Sequence, residues 1–526
     1  MTTHNINVAD FLLEGKESNR IALVLLNGDR SYGELRVGAA AVANYLRKTG
    51  ANKGDRVLLV SDNSFCWVAT YLGILHAGLV CVPVPASIST EDMDYILETT
   101  ELRIAFLQGT FANKRRKQFA GIQVVADQLV PDFHQPLTTF ADLLSQGADF
   151  EEGTGKAGGD DLAAIMFTSG STGTPRGVMV SHDNIVANTE SIIEFLRLTE
   201  SDKIMTVLPF HYCLGTSLLH THLRVGGTLV IDSRFMYPEK VLQRMQDSEC
   251  TGFAGVPSHY QLLLRTSSLK KKRFPKLRYV QQAGGHLAPP FIQELREALP
   301  ETQVFVMYGQ TEATARLAYL PPEFLDTKPG SIGKAIPGVT LRVVDEFDRE
   351  VAAGEVGEIV AEGGNVTLGY WNAPEDTARI FRNGKLYTGD LATVDSDGFL
   401  FIVDRAKDFL KCGGKRVSCK QLEEGLLQFD ELVEVAVVGI ADEVLGEAVK
   451  AFIVPRDRRE MNNGLTERVR LFCKERLPHD LVPKEIVVLA ALPKNSAGKV
   501  LKQDLKRTLT IDHLPEVGRP EVPIST

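Results

Sequence analysis

Through its first two-thirds the chain repeats one unit, a short β-branched or aliphatic run followed by a stretch of helical periodicity. Arg56–Val60 reads as a strand, Ser64–His76 as a helix and Leu79–Val84 as a strand, and Arg103–Leu107 and Ile122–Ala126 add further short strands. Strands that alternate with helices return in the same direction, so the pattern predicts an α/β fold built on largely parallel sheets. The long apolar run from Val68 to Ala86 is interrupted by Tyr71, Gly73, His76, Gly78, Pro83 and Pro85. A membrane helix needs about 20 mostly apolar residues. The run therefore predicts a buried helix, a break at Gly78 and a short buried strand.

The tail follows another plan. Near Asp404–Gly414 apolar periodicity stops, and charge and glycine dominate. A helix is predicted at Lys420–Gln428, where Ser418-x-x-Gln421 has the form of a capping box. Strands at Val433–Ile440, Val449–Val454 and Ile486–Leu489 and a helix at Thr466–Arg476 complete a small α+β unit. The expected organisation is a large N-terminal domain over 1–403 and a small C-terminal domain beyond it. Within the first, the Gly- and acid-rich stretch Asp149–Asp161 is expected to be an exposed linker.

Composition excludes several classes. A chain of 526 residues with 44% apolar and 24% charged residues has ordinary globular composition and buries several cores. Its 58 Lys+Arg against 67 Asp+Glu give a formal charge of −9, which disfavours broad nucleic-acid binding. Seven scattered cysteines without a C-x-x-C pair read as reduced thiols, neither a disulfide framework nor a zinc site. The N-terminus has no basic region followed by an apolar run, so no signal peptide is expected and a cytoplasmic location follows.

The segment that points most directly to chemistry is Phe167-Thr-Ser-Gly-Ser-Thr-Gly-Thr-Pro-Arg-Gly177, between the predicted strand Ala163–Phe167 and Val178–Val180. A helical pattern starts after Ser181 or Asp183. Glycines let backbone N–H groups approach an anion, hydroxyls add donors, and Arg176 adds positive charge. The composition is that of a phosphate cradle, although the Walker A spacing is not matched. A flexible Ser/Gly loop is the plain alternative; the strand–loop–strand context argues against it.

At this point the sequence resembles the adenylate-forming superfamily: acyl-CoA synthetases, luciferases and peptide-synthetase adenylation domains. Four further signatures follow in family order: Tyr308-Gly-Gln-Thr-Glu312, Tyr387-Thr-Gly-Asp390, Asp404-Arg-Ala-Lys-Asp408 with Gly413-Gly414, and Pro493-Lys-Asn-Ser-Ala-Gly-Lys499. The resemblance implies ATP and Mg²⁺ as cofactors and a mobile C-terminal lid over 408–526, with a hinge at 404–407 centred on Lys407. Nucleotide contacts are implied for Thr168, Ser169, Gly170, Ser171, Thr172, Gly173, Arg176, Gly284, Gly285, His286, Tyr308, Gly309, Gln310, Thr311, Asp390, Ile402, Arg405 and Lys499. Tyr308 would stack on adenine, Thr311 touch phosphate, Asp390 take the ribose hydroxyls with Arg405 nearby, and Lys499 bridge the acyl carboxylate and phosphate. Glu312 is the implied metal ligand, which suits the preference of Mg²⁺ for hard oxygen and few carboxylates. Thr168, Glu312, Lys499 and His211 make up the implied catalytic set.

The acyl pocket is read from Phe210, His211, Phe253, Gly255, Gly284, Met307 and Leu317, mostly apolar residues that equally suit a core. His211 aligns with a position where amino-acid-activating relatives often carry Asp, and imidazole is a poor partner for an ammonium group. It either argues for an acid without an α-ammonium or only gates the pocket. Arg176 stands where relatives usually have Lys, and Asp404 where many have Gly. The basic run Lys270–Arg273 is either a solvated face or a contact for the CoA 3′-phosphate. The expected activity is an AMP-forming acid–thiol ligase acting on a small carboxylic acid, with CoA as acceptor. The alternatives are a stand-alone enzyme loading an acid onto a carrier-protein phosphopantetheine, or a nucleotide-binding protein that has lost catalysis. No nucleic-acid partner and no transmembrane segment are expected.

Overall fold

The structure is a computed structural model. It describes residues 6–507, apart from 132, 134–136, 169–174, 406–408, 413–414, 443–444, 458, 461–463 and 495–499, and describes the backbone alone at 405, 409, 411, 415 and 416. The chain divides into two units, Met1–Ile402 and Val403–Thr526.

In the first unit, the strands Arg56–Val60, Val80–Pro83, Ile104–Leu107 and Gln123–Ala126 run parallel in one sheet, as the alternating pattern predicts. The sheet ends in an antiparallel hairpin, Leu162–Thr168 with Arg176–Ser181. Val57–Val60 and Val80–Val82 are almost wholly buried, as strands covered on both faces must be. Ser64 caps the helix Phe65–His76, its side chain accepting from Trp67 N, and the helix is buried from Trp67 to His76. Gly78, at φ 79°, turns the chain out of that helix into the strand Val80–Pro83.

A second sheet aligns Thr228–Ile231, Lys203–Thr206, Gly252–Gly255, Tyr279–Gln282 and Gln303–Tyr308 in parallel. Beyond Gln303–Tyr308 it adds the antiparallel strand Ala318–Leu320. A smaller antiparallel sheet is built from Val339–Val344, Val356–Gly363 and Lys385–Val394. Its buried face packs with Tyr308 and Leu317 in one core.

The stretch Asp149–Asp161 departs from expectation in part: Asp149 and residues 151–153 are exposed, but the part from Gly155 is docked, because the start of the N-terminal helix Val8–Leu13 reaches it. Asn7 Nδ2 donates to the carbonyls of Leu75 (2.7 Å) and Ala157 (2.9 Å), and Gly155 N donates to Asp10 Oδ2 (2.9 Å). Its glycines serve close packing here as much as flexibility, a role composition alone does not distinguish.

Four histidines of this unit are held neutral. Burial pulls His182, His211 and His222 down to about 4 and His220 to about 3. His182 Nδ1 accepts from Val8 N (3.0 Å), and His220 and His222 share hydrogen bonds with the hydroxyls of Tyr71 and Tyr279 (2.9 and 3.0 Å). The unfolded chain takes up these protons near 6.5 and the folded chain only near 4. Stability is therefore complete above pH 6.5 and lost as pH falls below it, each histidine contributing about 1.4 kcal/mol per pH unit within its window. The urea midpoint of unfolding is expected to drop steeply between about pH 6.5 and 5; a flat profile over that range would contradict the burial.

In the second unit, Leu432–Asp442 pairs antiparallel with Gly446–Pro455, which also pairs in parallel with Glu485–Val488. The helices Cys419–Leu426 and Leu465–Arg476 close the core through Leu422, Leu426, Leu465 and Val469. Ser418 caps the first of these by accepting from Gln421 N, as predicted. Its hydroxyl in turn donates to Asp404 Oδ2 (2.8 Å). Lys502, on the helix Lys502–Arg507, pairs with the half-buried Glu423 at 2.7 Å. The seven cysteines are present as thiols. Among the described residues, no helix is long and apolar enough to cross a membrane.

Candidate active site

The hairpin Leu162–Thr168/Arg176–Ser181 pins both ends of the glycine-rich loop. Thr168 pairs with Arg176 across the ladder, and Thr168 Oγ1 lies 3.5 Å from the Arg176 carbonyl. Ser169, Gly170, Ser171, Thr172 and Gly173 lie outside the described residues, as do Lys407, Lys499 and the glycines at 413 and 414. Arg405 is described as backbone only, in the strand Leu400–Arg405.

The segment following Val366 lies along the outer strand of this hairpin. Leu368 N donates to Met179 O (3.0 Å), Met179 N to Gly369 O (2.9 Å) and Trp371 N to Gly177 O (2.7 Å). This docking carries Tyr370 to the exit of the loop, where the Arg176 guanidinium lies 5.5 Å from the centre of its ring. The Tyr370 hydroxyl donates to Glu312 Oε1 at 2.6 Å. Burial, and then the Glu312 charge, push the phenol upward, so it remains a donor. Tyr370 thus joins the glycine-rich loop to the Tyr308–Glu312 motif, and sequence reasoning missed it. The signal was an aromatic pair, Tyr370-Trp371, directly after a glycine. Arg176 also pairs with Asp376 at 3.0 Å, so part of its charge is already balanced.

The Tyr308–Glu312 segment leaves the strand Gln303–Tyr308 and folds back at once. Leu317 N donates to Tyr308 O (2.8 Å) and Ala315 N to Gln310 O (3.3 Å). A Cβ on Gly309 would collide with the Ala315 carbonyl, so only glycine fits. The reversal places Thr314 at φ 56° and Ala315 at φ 121°, a costly conformation for residues with a side chain. Asn365 holds it in place: Nδ2 donates to the carbonyls of Arg316 (2.7 Å) and Ala313 (3.2 Å), and its carbonyl accepts from Thr314 Oγ1 (2.7 Å).

Tyr308 and Asp390 come together although 82 residues separate them: the Tyr308 hydroxyl donates to Asp390 Oδ2 at 2.6 Å, with both side chains buried. Ile402 packs against the same cluster. Gln282 Nε2 donates to Gly285 O (2.7 Å), shaping the turn in which Gly284 takes φ 81° and His286 is exposed. Thr311 Oγ1 lies 3.4 Å from Cys213 Sγ. The His211 ring lies tilted against Tyr212, the ring centroids 4.4 Å apart, and its buried Nε2 has no hydrogen-bond partner among the described residues.

The expected acyl-lining set does not share one wall. Phe210 packs on Trp67 at 5.2 Å. Phe253 faces the helices Pro257–Thr266 and Pro289–Ala298 with Tyr260 and Leu295 around it, and Gly255 lies on that same side. Met307 faces the opposite side of the sheet, toward Ile192 and Leu196, and Leu317 lies in the core shared with the small antiparallel sheet. Alternate residues of a strand point to opposite faces, and when helices or sheets cover both, apolar character does not tell which face is which. The basic run is engaged at the surface: Lys270 pairs with Glu294, and Lys272 Nζ donates to Gln243 and Gln246.

Comparison with known proteins shows the family. The family model described as AMP-binding enzyme matches residues 14–371, and that for the AMP-binding enzyme C-terminal domain matches 421–499. A long-chain-fatty-acid–CoA ligase of Salmonella typhimurium is 29% identical over 516 residues, covering 92% of this chain and 91% of its own. A feruloyl-CoA synthase of Amycolatopsis sp is 31% identical over 482 residues, covering 91% and 93%. The crystal structure of ATP-bound MatB from Rhodopseudomonas palustris superposes with a TM-score of 0.84 at 30% identity, over 96% of this chain and 99% of that one. Fold and site together define an AMP-forming acid–thiol ligase. The chain belongs to the AMP-binding enzyme family, within the adenylate-forming superfamily.

Proposed function

We propose that the protein is an acyl-CoA synthetase that uses ATP to activate a small carboxylic acid and passes the acyl group to the thiol of CoA. In the first step a carboxylate oxygen bonds to the α-phosphorus as the bond to pyrophosphate breaks. In the second the thiol sulfur bonds to the acyl carbon and AMP leaves. The observation that carries this reading is the convergence of four separate segments, through Arg176 on Tyr370, Tyr370 on Glu312 and Tyr308 on Asp390.

Positioning and electrostatics supply most of such a reaction. Arg176 and the loop that begins at Thr168 hold phosphate, with Thr311 beside them. Asp390 offers two acceptor oxygens to the ribose diol, and its bond to Tyr308 orients both groups toward the nucleoside. Glu312 would hold Mg²⁺: it offers hard oxygen, and a single carboxylate suits an ion that keeps waters and phosphate oxygens as its other ligands. When bound, the ion neutralises phosphate charge. His211, neutral because burial pulls it down to about 4, offers no charge to an α-ammonium group.

The second unit acts as the lid, turning about 404–407 with Lys407 at the hinge, and supplies Lys499 for adenylation. Cysteines kept as thiols suit a cytoplasmic enzyme. The test is thioester formation with free CoA and, separately, with a phosphopantetheinylated carrier protein. Acyl-CoA formation at least about tenfold faster than carrier loading, about 1.4 kcal/mol, is the expected result; loading of the carrier alone would overturn the choice of acceptor.

A further inference from the structure

Four residues beyond Glu312 the chain buries an arginine. Arg316 keeps only 1% of its surface exposed. Its Nε lies 3.2 Å from the Met307 thioether and its Nη2 3.4 Å from Gln281 Oε1. A thioether is a weak acceptor, and 3.4 Å is long for an N–H···O bond. Its Nη1 has no hydrogen-bond partner among the described residues, while the Gln281 side chain lies beside the Tyr279 hydroxyl. Burial pulls the guanidinium down to about 10, so it is still cationic at neutral pH, and the one group acting against that shift is the Cys213 thiol, not a carboxylate.

A buried cation without an anion is costly, and proteins seldom keep one unless something pairs with it. Here the backbone fixes it in place: the Arg316 carbonyl accepts from Asn188 Nδ2 (3.2 Å) and Asn365 Nδ2 (2.7 Å). The location is beside the Tyr308–Glu312 segment. Met307 adjoins Tyr308, Gln281 pairs with Phe305 on the neighbouring strand, and Cys213 touches Thr311.

We infer that Arg316 and the Gln281 amide bind the second carboxylate of a dicarboxylic acid, whose first carboxylate is the one activated beside Thr311 and Glu312. The inference rests on the activation reaction proposed above. A guanidinium and an amide N–H together match the two oxygens of a carboxylate. A plain fatty or aryl tail would leave the guanidinium unpaired, the arrangement by which a site rejects an analogue most strongly. An α-ammonium would meet like charge, in agreement with the neutral His211.

The test is acid-dependent pyrophosphate exchange with chain-matched pairs such as butyrate and succinate, hexanoate and adipate, benzoate and phthalate. The wild type is expected to favour the dicarboxylate of at least one pair by about 100-fold or more in kcat/KM, and Arg316→Met to lower that ratio by about 100-fold, with Arg316→Lys restoring part of it. Preference for the monocarboxylate in every pair, or an unchanged ratio in Arg316→Met, overturns the subsite. If Arg316→Met does not fold, judged by loss of its ATP-induced thermal shift, Gln281→Leu is read in its place. A fall in the ratio of about tenfold supports the assignment, and an unchanged ratio overturns it. Exchange with monocarboxylates alone removes the subsite and leaves the reaction standing; no exchange with any acid overturns the reaction itself and the subsite with it.

Discussion

Lys499→Ala is expected to lower acid-dependent pyrophosphate exchange by about 1000-fold while leaving thioester formation from supplied acyl-AMP within about tenfold of wild type. Adenylation brings a carboxylate against a polyphosphate, two groups of like charge, and negative charge moves onto the leaving pyrophosphate as the new bond forms. A mobile point charge is suited to bridge them, and an ammonium on a four-carbon stem is such a charge. Thiol attack on the finished acyl-AMP has no second phosphate group to approach and does not need it. The measurement is a pair of assays on one variant, exchange and single-turnover thioester formation. Equal loss of both steps would contradict an assignment of Lys499 to the first step alone.

Gly309→Ala is expected to abolish measurable adenylation and to destabilise the first unit by about 3 kcal/mol. The new Cβ meets the Ala315 carbonyl, a backbone atom that cannot rotate away. The reversal from Tyr308 to Leu317 is already held in unfavourable φ at Thr314 and Ala315, so it has little room to relax. Displacing it moves Thr311 and Glu312 together, which explains why a stability defect and a catalytic defect appear in one variant. Urea unfolding and exchange kinetics check the two halves. A variant with wild-type unfolding and exchange would show that the turn is looser than its geometry implies.

Much of this molecule was legible in its sequence, for identifiable reasons. The alternation from Arg56 to Ala126 announced parallel strands because a fully buried strand and an amphipathic helix leave different periods. The ends of the glycine-rich loop were legible because Ala163–Phe167 and Val178–Val180 are β-branched or apolar runs that pair across it. Asp390 and Tyr308 were each singled out, but their contact comes from the pairing of sheets and leaves no trace in either motif.

What was not legible depends on tertiary partners. Tyr370 serves the site only because Leu368–Trp371 docks on the hairpin strand, a pairing without a local signature. The stretch Asp149–Asp161 looked like a linker because glycine and acidic residues suit both solvent and close packing, and only Asn7 and Asp10, far away in sequence, decide between them. Phe253 and Met307 both read as apolar lining, and the pleat sends them to opposite faces. Arg316 went unnoticed because a buried arginine and a solvated one are written with the same letter; burial is a property of the fold.

Acid-dependent exchange of labelled pyrophosphate into ATP, with AMP and ADP both quantified, tests the central claim most directly. The account predicts exchange that requires both an acid and Mg²⁺, with AMP and no ADP as the nucleotide product once a thiol is added. Absence of exchange across fatty, aryl, amino and dicarboxylic acids, or release of ADP in place of AMP, would contradict it.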